Sequence, residues 1–310
     1  MPELPDLALY VDDLARRLTG GALRRVRLRS PFVLRSVTPQ LSEAQGRRVV
    51  TVRRMGKRIV LALDGELFLV LHLMIAGRLR WKVGPRPAAI PGKLGLAAFD
   101  FDAGTLLLTE ASPKKRAWIR LVRGLDALAA LDRGGLEVLE ADLESFRTAL
   151  TMENHTLKRA LTDPRLFSGI GNAYSDEILH RARLSPIAQT RKLPDGEIAR
   201  LFDATKDILV EWTDRLRRET GDAFPEKVTA FREEMAVHGK YRKPCPVCGT
   251  DVQRIVYADN ETNYCPTCQT GGRLLADRSL SRLLKGDWPK SLEEMEESKD
   301  ERRTPCAPNR

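Results

Sequence analysis

Hydrophobic and polar positions follow different rhythms along the chain, and each predicts a different kind of element. Between residues 3 and 18, Leu4, Leu7, Tyr10, Val11, Leu14, Ala15 and Leu18 recur at helical spacing, with Gly20-Gly21 behind them as a stop. This predicts an amphipathic first helix. From about residue 22 to 122 the pattern shifts to short runs rich in Val, Leu, Ile and Phe: Arg48–Val52, Arg58–Leu63, Leu67–Leu73, Ala97–Phe101 and Thr105–Thr109. Gly, Asp and Pro turns separate them, as an antiparallel sandwich or barrel requires. Leu125 to Glu140, with Gly134-Gly135 and several charges, predicts a connector. Helical spacing returns at Leu143, Phe146 and Leu150 and again across Ile198–Leu216, so the second half is helical. The fold class that follows is α+β and multidomain. Residues 1–124 are expected to form a helix-fronted sandwich or barrel, 125–239 a helical domain, 240–276 a cysteine-bearing module and 277–310 a charged tail. That tail carries Glu293-Glu294, Glu296-Glu297 and Arg302-Arg303 with few apolar residues, a composition expected to stay mobile.

Charge narrows the class of partner. The 310 residues, enough for about two domains, carry 52 Lys and Arg against 42 Asp and Glu, a net charge of +10. Such a balance favours an anionic partner such as nucleic acid, a solvated basic surface being the alternative. No basic stretch leads into an apolar core at the start. The most apolar run, Leu67 to Ala76, holds His72 and is too short to span a bilayer. The expectation is a cytoplasmic, nucleoid-associated monomer with no membrane contact.

Four of the five cysteines fall in two Cys-x-x-Cys pairs, Cys245/Cys248 and Cys265/Cys268, separated by 16 residues. At that spacing two knuckles on a hairpin close a tetrahedral thiolate site for one zinc, a redox pair being the weaker reading. Four protein ligands leave no open position, so the metal is structural. Ser168-Gly169-Ile170-Gly171-Asn172 precedes a helix expected to begin at Ala173, and its backbone N–H groups suit either phosphate or a plain structural turn. Lys57 falls at a hairpin tip, where a lysine is ordinarily just solvated, and His72 lies in an apolar strand, where a satisfied core histidine is the ordinary reading. The start, Met1-Pro2-Glu3, offers one more possibility. Removing Met1 would leave Pro2 as an N-terminal secondary amine, a nucleophile beside a carboxylate, although a Met-Pro start also occurs with no chemistry attached.

Taken together, Pro2-Glu3-Leu4-Pro5, Lys57 after Met55-Gly56, His72-Leu73-x-x-x-Gly77, Gly169-Ile170-Gly171-Asn172-x-Tyr174-x-Asp176-Glu177 and the four-cysteine finger closely resemble the formamidopyrimidine-DNA glycosylase / endonuclease VIII family. The resemblance runs from residue 2 to about 275. It implies a catalytic N-terminal β-sandwich, a helix-two-turn-helix DNA-binding domain and a zinc finger. It also implies base-excision repair of oxidised or ring-opened bases in double-stranded DNA. By that resemblance Pro2 attacks C1′ and forms a Schiff base, Glu3 is the acid that opens the sugar, and Lys57 assists. His72, Lys158 and Asn172 would hold phosphates, while Ile75 or Met74, with Lys114 and Lys115, would fill or flank the gap left by the extruded base. Three departures stand out. Asn260 occupies the position of the finger arginine that grips the phosphate, which implies weak δ-elimination unless Arg254 or Arg273 takes its place. The family's Pro-Arg-Arg-Phe loop reads Pro113-Lys114-Lys115-Arg116, and its His-Leu-Gly-Met reads His72-Leu73-Met74-Ile75. The competing reading is a non-catalytic damaged-DNA binding protein on the same scaffold. A bare zinc-ribbon transcription factor leaves the N-terminal half unexplained.

Overall fold

The computed structural model describes residues 1–226, 228–229, 231–257, 260–275, 291 and 294, without the side chains of 257 and 260. The tail expected over 277–310 therefore lies outside the described residues, apart from two isolated positions. The chain packs as two units. The first comprises Met1–Glu140, Asp163–Ile170 and Leu209–Ala230, and the second comprises Ala141–Thr162, Gly171–Ile208 and Phe231–Arg310.

The first unit opens with α1 (Leu4–Leu18), followed by β1 (Leu23–Leu28), β2 (Val49–Met55), β3 (Arg58–Leu63), β4 (Leu67–His72), β5 (Gly77–Val83), β6 (Gly95–Phe101), β7 (Gly104–Glu110) and β8 (Trp118–Arg123). Two antiparallel four-stranded sheets result, with orders β1-β6-β7-β5 and β2-β3-β4-β8. The core follows from the apolar spacing. Leu7, Tyr10, Leu14 and Leu18 on one stripe of α1 pack with Leu61, Leu69 and Leu71 of one sheet and Phe99, Leu106 and Leu108 of the other, all without solvent exposure. Each such side chain contributes about 1.5–3 kcal/mol of burial.

The apolar runs named from sequence correspond to β2, β3, β4, β6 and β7 and do not include β1, β5 and β8. All three are edge strands, with sequences LRRVRL, GRLRWKV and WIRLVR. An edge strand faces solvent on more sides and so tolerates cations at alternate positions. The expected connector from Leu125 to Glu140 also needs correction, since it opens with a short helix, α2 (Leu125–Ala129). Leu128 and Leu131 there cover the outer face of the second sheet at Met55, Val60, Phe68 and Val70.

In the second unit α3 (Leu143–Thr151) and α4 (Leu157–Thr162) precede α5 (Asn172–Arg181), which starts one residue earlier than expected because Gly171 takes the extended N-cap conformation. The long α6 (Asp195–Thr220) passes from this unit into the first at Leu209. A hairpin of β9 (Gln253–Tyr257) and β10 (Asn260–Tyr264) leads into α7 (Pro266–Thr270).

Two adjacent acids on α5 organise this unit. The Glu177 carboxylate, 3% exposed, accepts the backbone N–H groups of Ala236 (2.8 Å), Val237 (2.9 Å) and His238 (2.9 Å). Asp176, with no exposure, accepts from Lys158 Nζ at 2.5 Å and Asn263 Nδ2 at 3.4 Å and pairs with His238 Nδ1 at 2.8 Å. Backbone amides left without acceptors in the interior cost about 1–3 kcal/mol each. Glu177→Ala should therefore lose at least about 3 kcal/mol in denaturant titration, and Glu177→Gln, which keeps one acceptor oxygen, should lose less. An alanine variant as stable as the parent would show that this carboxylate does not hold the segment.

Candidate nucleic-acid site and zinc centre

The start of α1 is fixed from both sides of the chain. Pro2 and Glu3 are buried, and Glu3 and Asp6 form a reciprocal capping box in which Asp6 Oδ2 accepts the Glu3 N–H at 3.0 Å. Acids three residues apart satisfy first-turn amides that the helix itself cannot, and Pro5 has no amide to satisfy. The next N–H, that of Leu4, donates to Gly169 O at 3.0 Å. Gly169 has φ +81°, and a Cβ there would stand 2.9 Å from Leu4 Cβ, so the glycine is required by both conformation and contact. The amino group of the described chain is that of half-buried Met1. Burial holds it below its usual 8.0, with Glu3 opposing the shift, Arg78 adding to it, and Asp6 and Lys57 acting in the same respective senses.

Arg54 joins this anchor to the hairpin that carries Lys57. Its Nη1 donates to Gly56 O (2.9 Å) and Ser168 Oγ (3.0 Å), its Nη2 pairs with Glu137, and Ser168 Oγ donates to Glu137 Oε1 at 2.5 Å. Lys57, half-buried, follows Gly56 in the β2–β3 turn. Asp6 was legible from its capping-box spacing. Arg54 was not, because within Arg53-Arg54 nothing in sequence separates a buried hub from a solvated cation.

His72 ends β4 opposite Trp118 of β8, and the two rings stack at 5.2 Å with 13° between planes. The guanidinium groups of Arg58 and Arg120 lie 5.7 and 5.4 Å from the Trp118 centroid, within cation–π range. Burial, then Arg58 and Lys57, lower the His72 pKa to about 4. Its Nδ1 accepts the Met74 N–H at 3.1 Å, which leaves the ring proton on Nε2. The chain then turns through Met74 at φ +51° to Ile75, which is 61% exposed. Arg78 Nη1 holds the Ile75 carbonyl at 3.1 Å. Gly77 closes the turn, where a Cβ would meet Leu73 O at 2.2 Å.

Lys114 and Lys115 are exposed on the loop after β7. Buried Glu110 shapes that loop: its Oε2 accepts the N–H groups of Arg116 (2.8 Å) and Ala117 (3.0 Å), and its carbonyl accepts from Lys115 Nζ.

In the second unit Lys158 directs its ammonium inward, to Asn172 O (2.6 Å), Ser175 Oγ (2.8 Å) and Asp176 Oδ1 (2.5 Å). Three donors meet three acceptors, so Lys158 braces the first turn of α5 rather than presenting free donors. Asn172 Nδ2 donates to Glu261 O at 2.8 Å, which brings Asn172 and the β10 backbone beside Asn260 together. Arg254 pairs with Glu261 at 2.9 Å and stacks on Tyr241 at 4.3 Å, and β9–β10 pairing puts it on the opposite register face from position 260. Arg273 is exposed.

The four cysteine Sγ atoms lie within 4.8 Å of one another, with Cys248–Cys265 at 3.4 Å and Cys245–Cys268 at 3.9 Å. A tetrahedron with Zn–S bonds of about 2.3 Å has S···S edges of roughly 3.8 Å, so the set fits one zinc without rearrangement. Cys265 Sγ also accepts the Cys268 N–H at 3.5 Å, and Gln269 ties the knuckle to the segment after α5 by accepting from Cys265 N and donating to Leu184 O at 2.9 Å. The ion is structural, and the module is a zinc finger. No described helix is long and apolar enough to cross a membrane.

Comparison with known proteins agrees with this arrangement. Residues 1–123, 135–216 and 242–271 match, in turn, the formamidopyrimidine-DNA glycosylase N-terminal domain, the formamidopyrimidine-DNA glycosylase H2TH domain and the zinc finger found in Fpg and isoleucyl-tRNA synthetase. A protein of Heliobacterium modesticaldum named formamidopyrimidine-DNA glycosylase is 34% identical over 284 residues, 87% of this chain and 100% of that one. The crystal structure of MutM (Fpg) from Thermus thermophilus superposes with a TM-score of 0.73 at 33% identity, covering 86% of this chain and 98% of that one. A complex of Lactococcus lactis Fpg with abasic-site DNA gives a TM-score of 0.76 at 26% identity, covering 86% and 99%. With its β-sandwich, H2TH helices and four-cysteine finger all matched, the chain belongs to the formamidopyrimidine-DNA glycosylase family, whose members are bifunctional DNA glycosylases and abasic-site lyases.

Proposed function

We propose that this protein excises oxidised or ring-opened bases from double-stranded DNA and then cleaves the strand, using the Pro2 nitrogen as nucleophile. The observation that carries the proposal is the environment of the amino terminus, where the half-buried Met1 amine has a lowered pKa and feels the charges of Glu3, Arg78, Asp6 and Lys57. Loss of Met1 would make the nitrogen of buried Pro2 the terminal amine, and an α-amine titrates near pH ~7.7–8.0, low enough to leave a useful share unprotonated at neutral pH.

The Pro2 lone pair attacks C1′, the N-glycosidic bond breaks with its electron pair going to the damaged base, and the base leaves with the proton shed by the Pro2 nitrogen. Glu3, held by Asp6, protonates O4′ as the sugar ring opens, giving an iminium at C1′. Loss of a C2′ proton then expels the 3′ phosphate by β-elimination, and a second elimination expels the 5′ phosphate. Lys57 and the His72 Nε2–H supply phosphate donors on the first unit, which also carries exposed Lys114 and Lys115. Ile75 is the apolar side chain available to occupy the space of an extruded base. On the second unit, Asn172 at the start of α5 and exposed Arg273 supply further contacts, and Lys158 acts indirectly by bracing Asn172. Fixed donors of this kind hold a distorted backbone while the base is out of the stack.

The direct test is a duplex carrying one formamidopyrimidine. Base release followed by strand cleavage supports the reading, whereas tight binding with neither would leave a damaged-DNA binding protein.

Position 260 controls the second elimination in this mechanism. A neutral amide grips phosphate less firmly than a bidentate guanidinium, whose charge-assisted bonds are roughly twice as strong. The parent should thus leave mainly the β-elimination end on abasic DNA, and Asn260→Arg should raise the δ-to-β ratio on a sequencing gel. Complete δ-elimination by the parent would transfer the role to another residue, Arg273 first.

His72 should act as a neutral donor. Its folded pKa of about 4 lies below the usual 6.5, so between those values the unfolded chain binds the proton and the folded chain does not. Its contribution is complete above about pH 6.5 and is lost as pH falls toward 4. His72→Gln should flatten this part of the stability profile and keep more DNA affinity than His72→Ala, as measured by melting and by fluorescence anisotropy. Equal affinity losses for Gln and Ala would rule out the neutral-donor role.

A further inference from the structure

One buried contact to the zinc centre comes from outside the finger. His180, on the last turn of α5, is 7% exposed, and its Nε2 lies 3.3 Å from Sγ of Cys245, which is itself 2% exposed. A zinc-bound thiolate carries no proton and can only accept. The ring nitrogen facing it must therefore be the donor, which selects the Nε2–H tautomer. The electrostatic need is plain: four thiolates on one dication leave a net charge of −2 in a site where two of the sulfurs are buried. Such charge calls for N–H donors. Cys265, the equivalent first cysteine of the second knuckle, receives a backbone N–H from within its own knuckle. Cys245 receives a side-chain donor from a residue 65 positions earlier.

We propose that His180 is a positioning residue of the zinc centre, donating Nε2–H to the Cys245 thiolate so that the sulfur is less exposed to electrophiles and the first knuckle is tied to α5. The proposal rests on zinc being held by the four cysteines. A hydrogen-bonded thiolate is a poorer nucleophile because part of its lone-pair density is engaged, so zinc should be released more slowly when the finger meets hydrogen peroxide or a maleimide.

The test uses the zinc-loaded full chain. Long-range 1H–15N correlation on the unaltered protein should show the His180 proton on Nε2, and a proton on Nδ1 with Nε2 bare would overturn the proposal without any variant. Peroxide-driven zinc release, followed with a chromogenic chelator, should be roughly 10-fold faster in His180→Phe, the lower end of the range for lost outer contacts to metal ligands. His180→Gln, which keeps an N–H donor, should stay closer to the parent. A phenylalanine variant that releases zinc at the parental rate, or a glutamine variant as fast as phenylalanine, would overturn the hydrogen bond. Metal analysis of the parent separates the two readings: less than one zinc per chain would remove the zinc assignment, and this proposal with it.

Discussion

The hydrogen bond from Leu4 N to Gly169 O is the constraint on which the amino-terminal site depends. An N-terminus is ordinarily the loosest part of a chain, and a reactive amine on a fraying end would spend little time in a productive position. Here the first turn of α1 is closed by the Glu3–Asp6 capping box and then tied to a turn 165 residues later in sequence. The approach is so close that a Cβ at position 169 would collide with Leu4. Arg54 extends the same constraint to the β2–β3 hairpin, so that the amine, its neighbouring acid and Lys57 are referred to one rigid frame.

That frame also explains why the site is electrostatically mixed. Burial and the cations Arg78 and Lys57 favour an unprotonated amine, while Glu3 and Asp6 keep carboxylates beside it. Neither sign of charge alone would serve. In the proposed mechanism Glu3 must carry a proton to open the sugar, and the cations offset the tendency of the acids to hold the amine protonated. The same economy appears at His72, kept neutral by burial and by neighbouring cations and thus able to donate one proton from a defined nitrogen.

Much of this was legible in the sequence, for identifiable reasons. The helical stripe of residues 4–18, strands β2, β3, β4, β6 and β7 and the four-cysteine spacing each follow from a local period or a fixed ligand geometry. Edge strands β1, β5 and β8 were missed because alternate arginines hide their apolar face. The resemblance singled out Pro2, Glu3, Lys57, His72 and Asn172. It did not single out Arg54, Glu110 or His180, whose partners lie 83, 6 and 65 residues away, and it gave Glu177 no partner, although one lies 59 residues away. A charge whose partner is set by the tertiary fold looks in sequence like any other surface charge. Lys158, aligned by the resemblance with a phosphate-binding position, has its donors on Asp176, Ser175 and Asn172 in this structure.

The central claim is chemical: the amine presented by this anchored terminus forms a covalent bond to C1′. The most direct measurement is borohydride reduction of the protein on duplex DNA containing one abasic site, followed by protease digestion and mass spectrometry of the cross-linked peptide. The mechanism predicts a single adduct on a peptide that begins at Pro2, with the sugar remnant on its α-nitrogen. An adduct on a lysine side chain, or on a peptide that retains Met1, would contradict it.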